Sequence, residues 1–566
     1  MFKRLILSIL SGFILYVSWP PNTSYTFLIF FALVPLLLIE LDIKAKKISI
    51  KQYFWYSYLS FFIFNLCATF WIHHAHFGGA IFAILCNTFF MAFVFYIYAK
   101  IKNTIHWRSS LFLLPVLWIS FEYLHLNWDL SWPWLTLGNV FASNTHVIQW
   151  YSFTGVLGGS FWILMVNLFL IELLKNKKWD IKIMYQMSFL ITLFLLPLFL
   201  STYISNQISS KKEEKSINIL VVQPNIDPYV DKFTLRQSQQ TDNVLNFLEP
   251  YLNNKINCVI LPETFLIEPI WEHAMLNNLD IKKLNKLITK NRWFVDNNDL
   301  KKAYYPVNIF TGATTLSFLR KTKKTKSINH HRSYSVYNSA LHLKLEYSDL
   351  DYDTLIPPIL QLNTYHKSKL VPGAEQIPFY NLLSLFLGDK LLKIGSSTSI
   401  GNFSKQDSVT LFKSDLYAFN SSFNDSSLVY AVAPIICYES IYGDYVRKFI
   451  QKGANVIFII TNDGWWKNTS GYQQHHVYAK LRAIETRRYI ARSANTGISS
   501  IINPMGDVEK MLPWNHQGIL ESTIPLYDGE TFYVKHGDLL GRLFSFWSVI
   551  SILYFFVHNK LISSRR

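Results

Sequence analysis

The chain is poor in charge and almost free of cysteine. Only 16% of its 566 residues are Asp, Glu, Lys or Arg, against about 25% in an average soluble domain. That shortage excludes an ordinary cytosolic enzyme. Four cysteines in so long a chain exclude a disulfide scaffold. With 50% hydrophobic residues, 16% of the chain being aromatic, it is not a disordered polymer either. No GxxxxGKS/T or GxGxxG run is present, so no cofactor of the nucleotide kind is expected. His73, His74 and His76 come without a cysteine or carboxylate cluster beside them, which argues against a metal centre.

Acids are the scarcer sign, and the net charge is +17. The imbalance is not spread evenly. Residues 1–205 hold 13 Lys+Arg and 6 Asp+Glu, while 206–559 hold 38 and 31, a soluble-domain composition. The first zone reads as membrane-embedded. A spanning helix needs about 20 mostly apolar residues, and candidate spans lie near 5–20, 25–41, 54–74, 79–99, 110–124, 158–174 and 184–204, with an eighth near 541–558. Lys3-Arg4 ahead of the first span suits a signal peptide, but no small-residue cleavage site follows it, so a retained helix is the expectation.

Basic residues orient the spans. With the N-terminus in the cytoplasm, the inside segments are 42–53, 100–109, 175–183 and both termini. All 13 Lys+Arg of the first zone fall there. The outside loop 125–157 has none, although it is long and polar enough to carry some. This is the positive-inside pattern, and it puts 206–540 outside the cytoplasm. The expected organisation is therefore a membrane domain at 1–205 with seven helices, an external domain at 214–535, and an eighth helix at 541–558. The positive balance is orientation, not a nucleic-acid footprint. Trp128, Trp132, Trp134 and Trp150 in loop 125–157 suit an anchoring belt at the membrane interface, or a wall of a lipid-facing site.

The second zone alternates buried strands and helices, which points to a layered α/β fold. Strands are expected in 217–225, 257–264, 307–315, 337–343, 429–439, 454–463 and 498–507, and helices near 233–253, 440–452 and 472–490. Three motifs end such strands. LPET places Glu263, YHKSKLVPGAEQIPF places Lys367 and Glu375, and PIICYES places Cys437. Taken singly, a carboxylate there is a cap, a lysine is solvated and a cysteine fills core. A thiol, though, needs a base or a nearby cation to act as a nucleophile.

Taken in order, LPE, YxKxxLVPxxE, ICYE and NDxWW resemble the nitrilase superfamily. The eight spans and external domain look like its apolipoprotein N-acyltransferase family. The resemblance implies an αββα sandwich carrying a Glu-Lys-Cys triad. Cys437 is then the nucleophile, Glu263 the base, and Lys367 the oxyanion donor. Glu375, Tyr438 and Glu439 match supporting positions, and Trp465 and Trp466 are either core aromatics or an acyl-chain wall. It further implies a thioester intermediate, a phospholipid acyl donor (phosphatidylethanolamine), diacylglyceryl apolipoproteins as acceptors, and a bacterial inner membrane with the catalytic domain periplasmic. The family's LVPFGE reads LVPGAE here. For its tryptophan after the first QxN the candidate here is Phe233, after Lys232. The competing readings are a membrane-anchored amide or nitrile hydrolase with the same triad, and a transporter. Against the transporter, residues 1–205 show few intramembrane charges, Glu122 being the exception.

The orientation is directly testable. A reporter fused after Arg566 is expected to score as cytoplasmic and one inserted within 206–540 as external; the reverse pattern would overturn the charge argument.

Overall fold

The computed structural model describes the chain apart from residues 106–110, 176–180, 210–214, 230–233, 254, 291–292, 296–302, 306, 319–333, 347–358, 381, 384, 387–402, 416–428 and 564–566. It divides into two compact units. One comprises Met1–Lys211, Thr469–Glu485 and Thr531–Arg566; the other comprises Lys212–Asn468 and Thr486–Glu530.

In the first unit, five helices among the described residues are long and apolar enough to cross a membrane: Thr26–Lys44, Phe77–Thr104, Val156–Lys175, Ile183–Ile208 and Leu539–Leu561. Three further expected segments are helical as Phe2–Ser18, Ile50–Thr69 and Leu113–Asn127. The first and last of these have 17 and 15 residues, short of the ~20 that a straight span requires. The middle one opens on Lys51-Gln52 and buries Asn65. Loop 125–157 folds back as 3₁₀ turns whose Trp134 is 1% exposed, so that tryptophan is core rather than belt. The helix Ser470–Thr486, which reads from sequence as part of the α/β zone, contributes to this unit. Its Gln474 accepts from Trp134 Nε1 at 2.7 Å and donates to the carbonyls of Pro20 and Ala68 at 3.0 and 3.1 Å. Tyr478 accepts from Trp19 Nε1 and donates to the Trp134 carbonyl, both at 3.0 Å. Every polar atom brought in by those two side chains is thereby satisfied, as burial demands.

Among the described residues the second unit holds fifteen strands: β1 (Ser216–Gln223), β2 (Cys258–Ile260), β3 (Leu266–Trp271), β4 (Trp293–Val295), β5 (Ala303–Tyr305), β6 (Asn308–Phe318), β7 (Tyr334–Glu346), β8 (Ile359–His366), β9 (Phe412–Asp415), β10 (Val429–Ile436), β11 (Val456–Thr461), β12 (Ile490–Ala494), β13 (Ser499–Ile502), β14 (Val508–Leu512) and β15 (Gly518–Pro525). One sheet runs β15-β1-β2-β6-β7-β8, with β3 also on β6; the other runs β14-β13-β12-β11-β10-β9. In each, the central strands are parallel (β1, β2 and β6; β10, β11 and β12) and the flanking ones antiparallel, apart from β3, which runs parallel to β6. The continuous apolar runs of β1, β2 and β11 follow from this. A parallel strand covered on both faces has no wet side to make polar.

The sheets face each other. Asn308 of β6 donates to the Tyr430 hydroxyl of β10 at 3.1 Å, Ser493 of β12 donates to the Val222 carbonyl of β1 at 2.8 Å, and Phe310 meets Phe458 edge-on at 4.9 Å. Outside the first sheet, the helices Gln237–Leu248 and Leu279–Lys290 bury Val244, Leu248, Ile281, Leu284 and Ile288 in one core with Leu220, Val222 and Val259. Outside the second, the helix Gly443–Gln451 buries Val446, Phe449 and Ile450 and packs on β10. This is the layered α/β sandwich expected from the sequence. All seven apolar runs singled out there contain strands.

One contact inside the sandwich fixes the position of Glu263. Gly312 of β6 donates its N–H to the Pro262 carbonyl at 3.1 Å. A Cβ there would stand 2.4 Å from Thr264 N and 2.6 Å from the Glu263 Cα. Thr264 itself is held at φ +47°. All the obstructing atoms are backbone, so nothing flexible can yield. Gly312→Ala is expected to cost about 1–3 kcal/mol as an overpacking substitution, read as a lower melting temperature in detergent; a melting temperature equal to wild type would show that the loop has slack.

Candidate active site

Four strand ends carry the site. Glu263 follows β2, Lys367 follows β8, Cys437 follows β10, and Asn462 follows β11. Lys367 is 1% exposed, and its ammonium donates to Glu263 Oε1 at 3.2 Å and to Glu375 Oε1 at 2.9 Å. Asn338 of β7 ties the same two carboxylates together, donating from Nδ2 at 2.8 and 3.1 Å. The remaining carboxylate oxygens accept backbone N–H groups, Glu263 Oε2 from Asn462 at 3.1 Å and Glu375 Oε2 from Val371 at 2.8 Å. Both glutamates are thus fixed at both oxygens. Although the glycine of LVPGAE has moved one place from the family's spelling, Glu375 still reaches Lys367.

Cys437 opens a 3₁₀ turn, Cys437–Ile441, with its backbone at φ +50°. This is the left-handed region, costly for a residue with a Cβ and concentrated at functional turns. Burial pushes its thiol up, the Glu263 carboxylate adds to that, and the Lys367 ammonium opposes it. Burial would likewise depress the Lys367 ammonium, but the carboxylates of Glu375 and Glu263 outweigh it and hold its pKa well above the ordinary lysine value. The cluster sets the Lys367 ammonium between the two glutamate side chains, beside a thiol that burial keeps from ionising.

Glu439 anchors the cysteine turn. Its Oε1 accepts from the Tyr365 hydroxyl and the Ser368 N–H, both at 2.6 Å, and its Oε2 accepts from the Ile436 N–H at 2.9 Å. One side chain therefore ties the strand carrying Cys437 to the loop carrying Lys367. Burial pushes this carboxyl up to about 7, against those hydrogen bonds and the nearby Lys367 charge. Tyr438 is buried and meets Tyr442 edge-on at 5.3 Å. Trp465 and Trp466 are half-buried on the turn Asp463–Trp466, where the Tyr229 hydroxyl donates to the Trp465 carbonyl at 2.7 Å. Phe233 lies outside the described residues.

The structure thus brings Glu263, Lys367, Glu375, Cys437 and Glu439 together. Sequence reasoning missed Asn338, Tyr365 and Asn462. A signal was present for Tyr365, which opens YHK, but not for Asn338, an amide among the polar and apolar residues of YNSALHL. Among the described residues no group of three or more His, Cys, Asp or Glu is placed to hold a metal.

The carbon-nitrogen hydrolase profile matches residues 219–532, the span that contains every one of these groups. The chain belongs to the carbon-nitrogen hydrolase family. Ahead of that domain, residues 11–169 match the apolipoprotein N-acyltransferase N-terminal domain. The chain is similar to the apolipoprotein N-acyltransferase of Chlorobaculum tepidum, 28% identical over 95% of this chain and 94% of the relative. It is also similar to apolipoprotein N-acyltransferase 1 of Treponema denticola, 26% identical over 99% of this chain and 97% of that one. Among solved structures it aligns with Saccharomyces cerevisiae Nit3, a member of branch 10 of the nitrilase superfamily, at 13% identity over 58% of this chain and 96% of the other, with a TM-score of 0.33.

The raised Glu439 carboxyl gives a pH signature. A carboxyl raised by folding from 4.5 to about 7 contributes stability below pH 4.5 and loses it as pH rises through about 7. Glu439→Gln cannot ionise, so it is expected to flatten that stretch of the curve of melting temperature against pH; a slope identical to wild type would mean that Glu439 stays ionised throughout.

Proposed function

We propose that this chain is an apolipoprotein N-acyltransferase that moves an acyl chain from a membrane phospholipid to the N-terminal amine of diacylglyceryl-cysteine proteins, through a thioester on Cys437. The observation that carries the mechanism is the buried Lys367 ammonium held between Glu263 and Glu375 beside the thiol. The observation that carries the substrate class is the acyltransferase N-terminal domain joined to full-length relatives of that name.

In the first half-reaction, Glu263 takes the thiol proton as sulfur attacks the sn-1 ester carbonyl. A C–S bond forms, and the carbonyl electrons move to oxygen, where the Lys367 ammonium and the Tyr438 backbone N–H stabilise the oxyanion. Collapse breaks the C–O bond. Glu263 returns the proton to the departing lysophospholipid oxygen. In the second half-reaction, the acceptor's α-amine attacks the thioester, Glu263 takes the amine proton, and sulfur leaves and is reprotonated. Glu375 keeps Lys367 charged and aimed, while Glu439 holds the cysteine turn against the lysine loop. Trp465 and Trp466 form an apolar wall for the acyl chain. Neither half-reaction draws on a metal or nucleotide.

Phosphatidylethanolamine is the donor that suits this scheme. We place the enzyme in the bacterial inner membrane with eight spans: seven in 1–205, a periplasmic catalytic domain at 214–535, and the last span at 541–558, with both termini cytoplasmic. The lysine distribution supports that orientation. A buried acyl chain gains about 0.8 kcal/mol per CH₂, so both substrates stay in the bilayer and the catalyst must be anchored there.

A phospholipid radiolabelled in its sn-1 chain, incubated with the purified protein, is expected to leave a hydroxylamine-labile label on the wild type and none on Cys437→Ser. Adding a diacylglyceryl lipopeptide should move the label to its amine. Absence of label on the wild type would sink the thioester; label released only to water would make the enzyme a hydrolase.

A further inference from the structure

Four polar side chains of the first sheet, unused by the transfer steps above, close into a ring. His366 ends β8, and its Nδ1 meets Ser339 Oγ of β7 at 2.8 Å. Ser339 Oγ meets Thr315 Oγ1 of β6, also at 2.8 Å. Thr315 Oγ1 contacts Glu272 Oε1 at 3.1 Å. Glu272 opens the turn after β3, and the same Oε1 stands 3.3 Å from His366 Nε2, which completes the circuit. Ser339 and Thr315 are wholly buried, while Glu272 and His366 reach the surface. Ser339 and His366 are direct cross-strand partners. Their neighbours along the chain are Asn338 and Lys367, and the ladder runs on between those two, the Lys367 N–H donating to the Asn338 carbonyl at 2.8 Å. Successive side chains of a strand point to opposite faces. The ring therefore backs the two strand ends that present Asn338 and Lys367 to the active site.

We propose that Glu272, Thr315, Ser339 and His366 are positioning residues, a brace that aligns Lys367 and Asn338 for the transfer and closes fully when His366 takes up a second proton. Four contacts need four protons. A carboxylate has none to give, each hydroxyl has one, a neutral imidazole one and an imidazolium two. In the neutral ring Nε2–H serves Glu272 and Ser339 donates to Nδ1, so the single Thr315 proton must choose between Ser339 and Glu272. The other tautomer leaves Nε2 facing Glu272 without a proton. Either way one contact fails. In the imidazolium ring both nitrogens donate, Ser339 turns its proton to Thr315, and Thr315 turns its own to Glu272. All four contacts are then made, and a buried network that is fully satisfied rigidifies what it links. The imidazole also stacks on the Tyr337 ring of β7 at 4.0 Å, and the His366 backbone N–H donates to Gln406 Oε1 at 3.1 Å. Glu272 and Tyr337 are thus the titratable groups that meet the imidazole among the described residues, while Lys367, next in the chain, is turned to the other face. Burial draws the His366 pKa below the ordinary histidine value and the Glu272 carboxylate pushes it back, so the second proton arrives on the acid side.

The inference rests on Lys367 serving the oxyanion, and the two fail separately. Thr315→Val removes one hydroxyl from the ring. The two contacts left to His366 are then satisfied by a neutral imidazole and the Ser339 proton, so acid adds nothing to the variant. The measurement is the single-turnover rate at which the full-length protein takes label from a phospholipid radiolabelled in its sn-1 chain, at saturating lipid, for wild type and variant from about pH 8 to about pH 5, either side of the ordinary histidine value. Titrations common to both proteins cancel in the ratio of rates. That ratio, wild type over Thr315→Val, is expected to rise about fivefold toward acid, the worth of one ordinary hydrogen bond. The KM for phospholipid is expected to stay in place, and Thr315→Ser to restore the wild-type profile. A merely structural role gives a ratio that does not change with pH. A flat ratio overturns the proposal, as does a Thr315→Ser profile that matches Thr315→Val. Should Thr315→Val not fold, His366→Gln, which cannot take up a second proton, is expected to give the same rise, and a flat ratio there overturns the proposal equally. A wrong catalytic assignment shows elsewhere, as a wild type that takes no label or a hydroxylamine-labile label that survives in Cys437→Ser.

Discussion

The ammonium of Lys367 sits inside the sandwich with a carboxylate on either side, and much of the second unit is arranged to keep it there. A buried charge with a partner removed costs several kcal/mol. That penalty makes the lysine, Glu263 and Glu375 a single unit rather than three separable groups. The cluster carries one positive and two negative charges, so a thiolate beside it would be a third negative charge facing one cation. In the mechanism we propose, the resting thiol therefore keeps its proton, and the two carboxylate side chains differ in work: Glu375 balances the lysine, and Glu263 is left to receive.

Holding that cluster constrains the backbone. Cys437 and Thr264 both sit at positive φ, and Gly312 accepts an approach that any side chain would block. These three positions lie where strand ends from two sheets converge. The parallel strands put their C-terminal ends on one edge, which is where ligands meet open α/β sheets in general. Asn338 and Glu439 then act as ties: the first couples the two carboxylates, and the second couples the cysteine turn to the lysine loop.

Much of this was legible in the sequence because burial on both faces leaves long apolar runs. INILVVQ, CVI and VIFIIT admit few other readings. β8 and β12 were not legible. ILQLNTYH alternates polar residues along a half-covered strand, and IARSA is five residues long with a buried arginine that reads as solvated until Asp463 is seen. In the site, LPE and ICYE stood out because each charged or reactive residue terminates an apolar strand, and YHK because it precedes LVP and a glutamate eight residues on. Asn338 and Ser339 did not, since an amide or hydroxyl within a strand is ordinary and only the fold shows what it faces. Helix Ser470–Thr486 follows a similar rule: it was expected near 472–490, but only the fold shows that Gln474 and Tyr478 meet tryptophans and carbonyls.

That helix interrupts the second unit along the chain, because the stretch 469–485 belongs with the first. No single cut therefore frees the sandwich. A fragment spanning 212–530 would carry Gln474 and Tyr478 without Trp19, Trp134 or the carbonyls of Pro20 and Ala68, exposing a surface made for other partners.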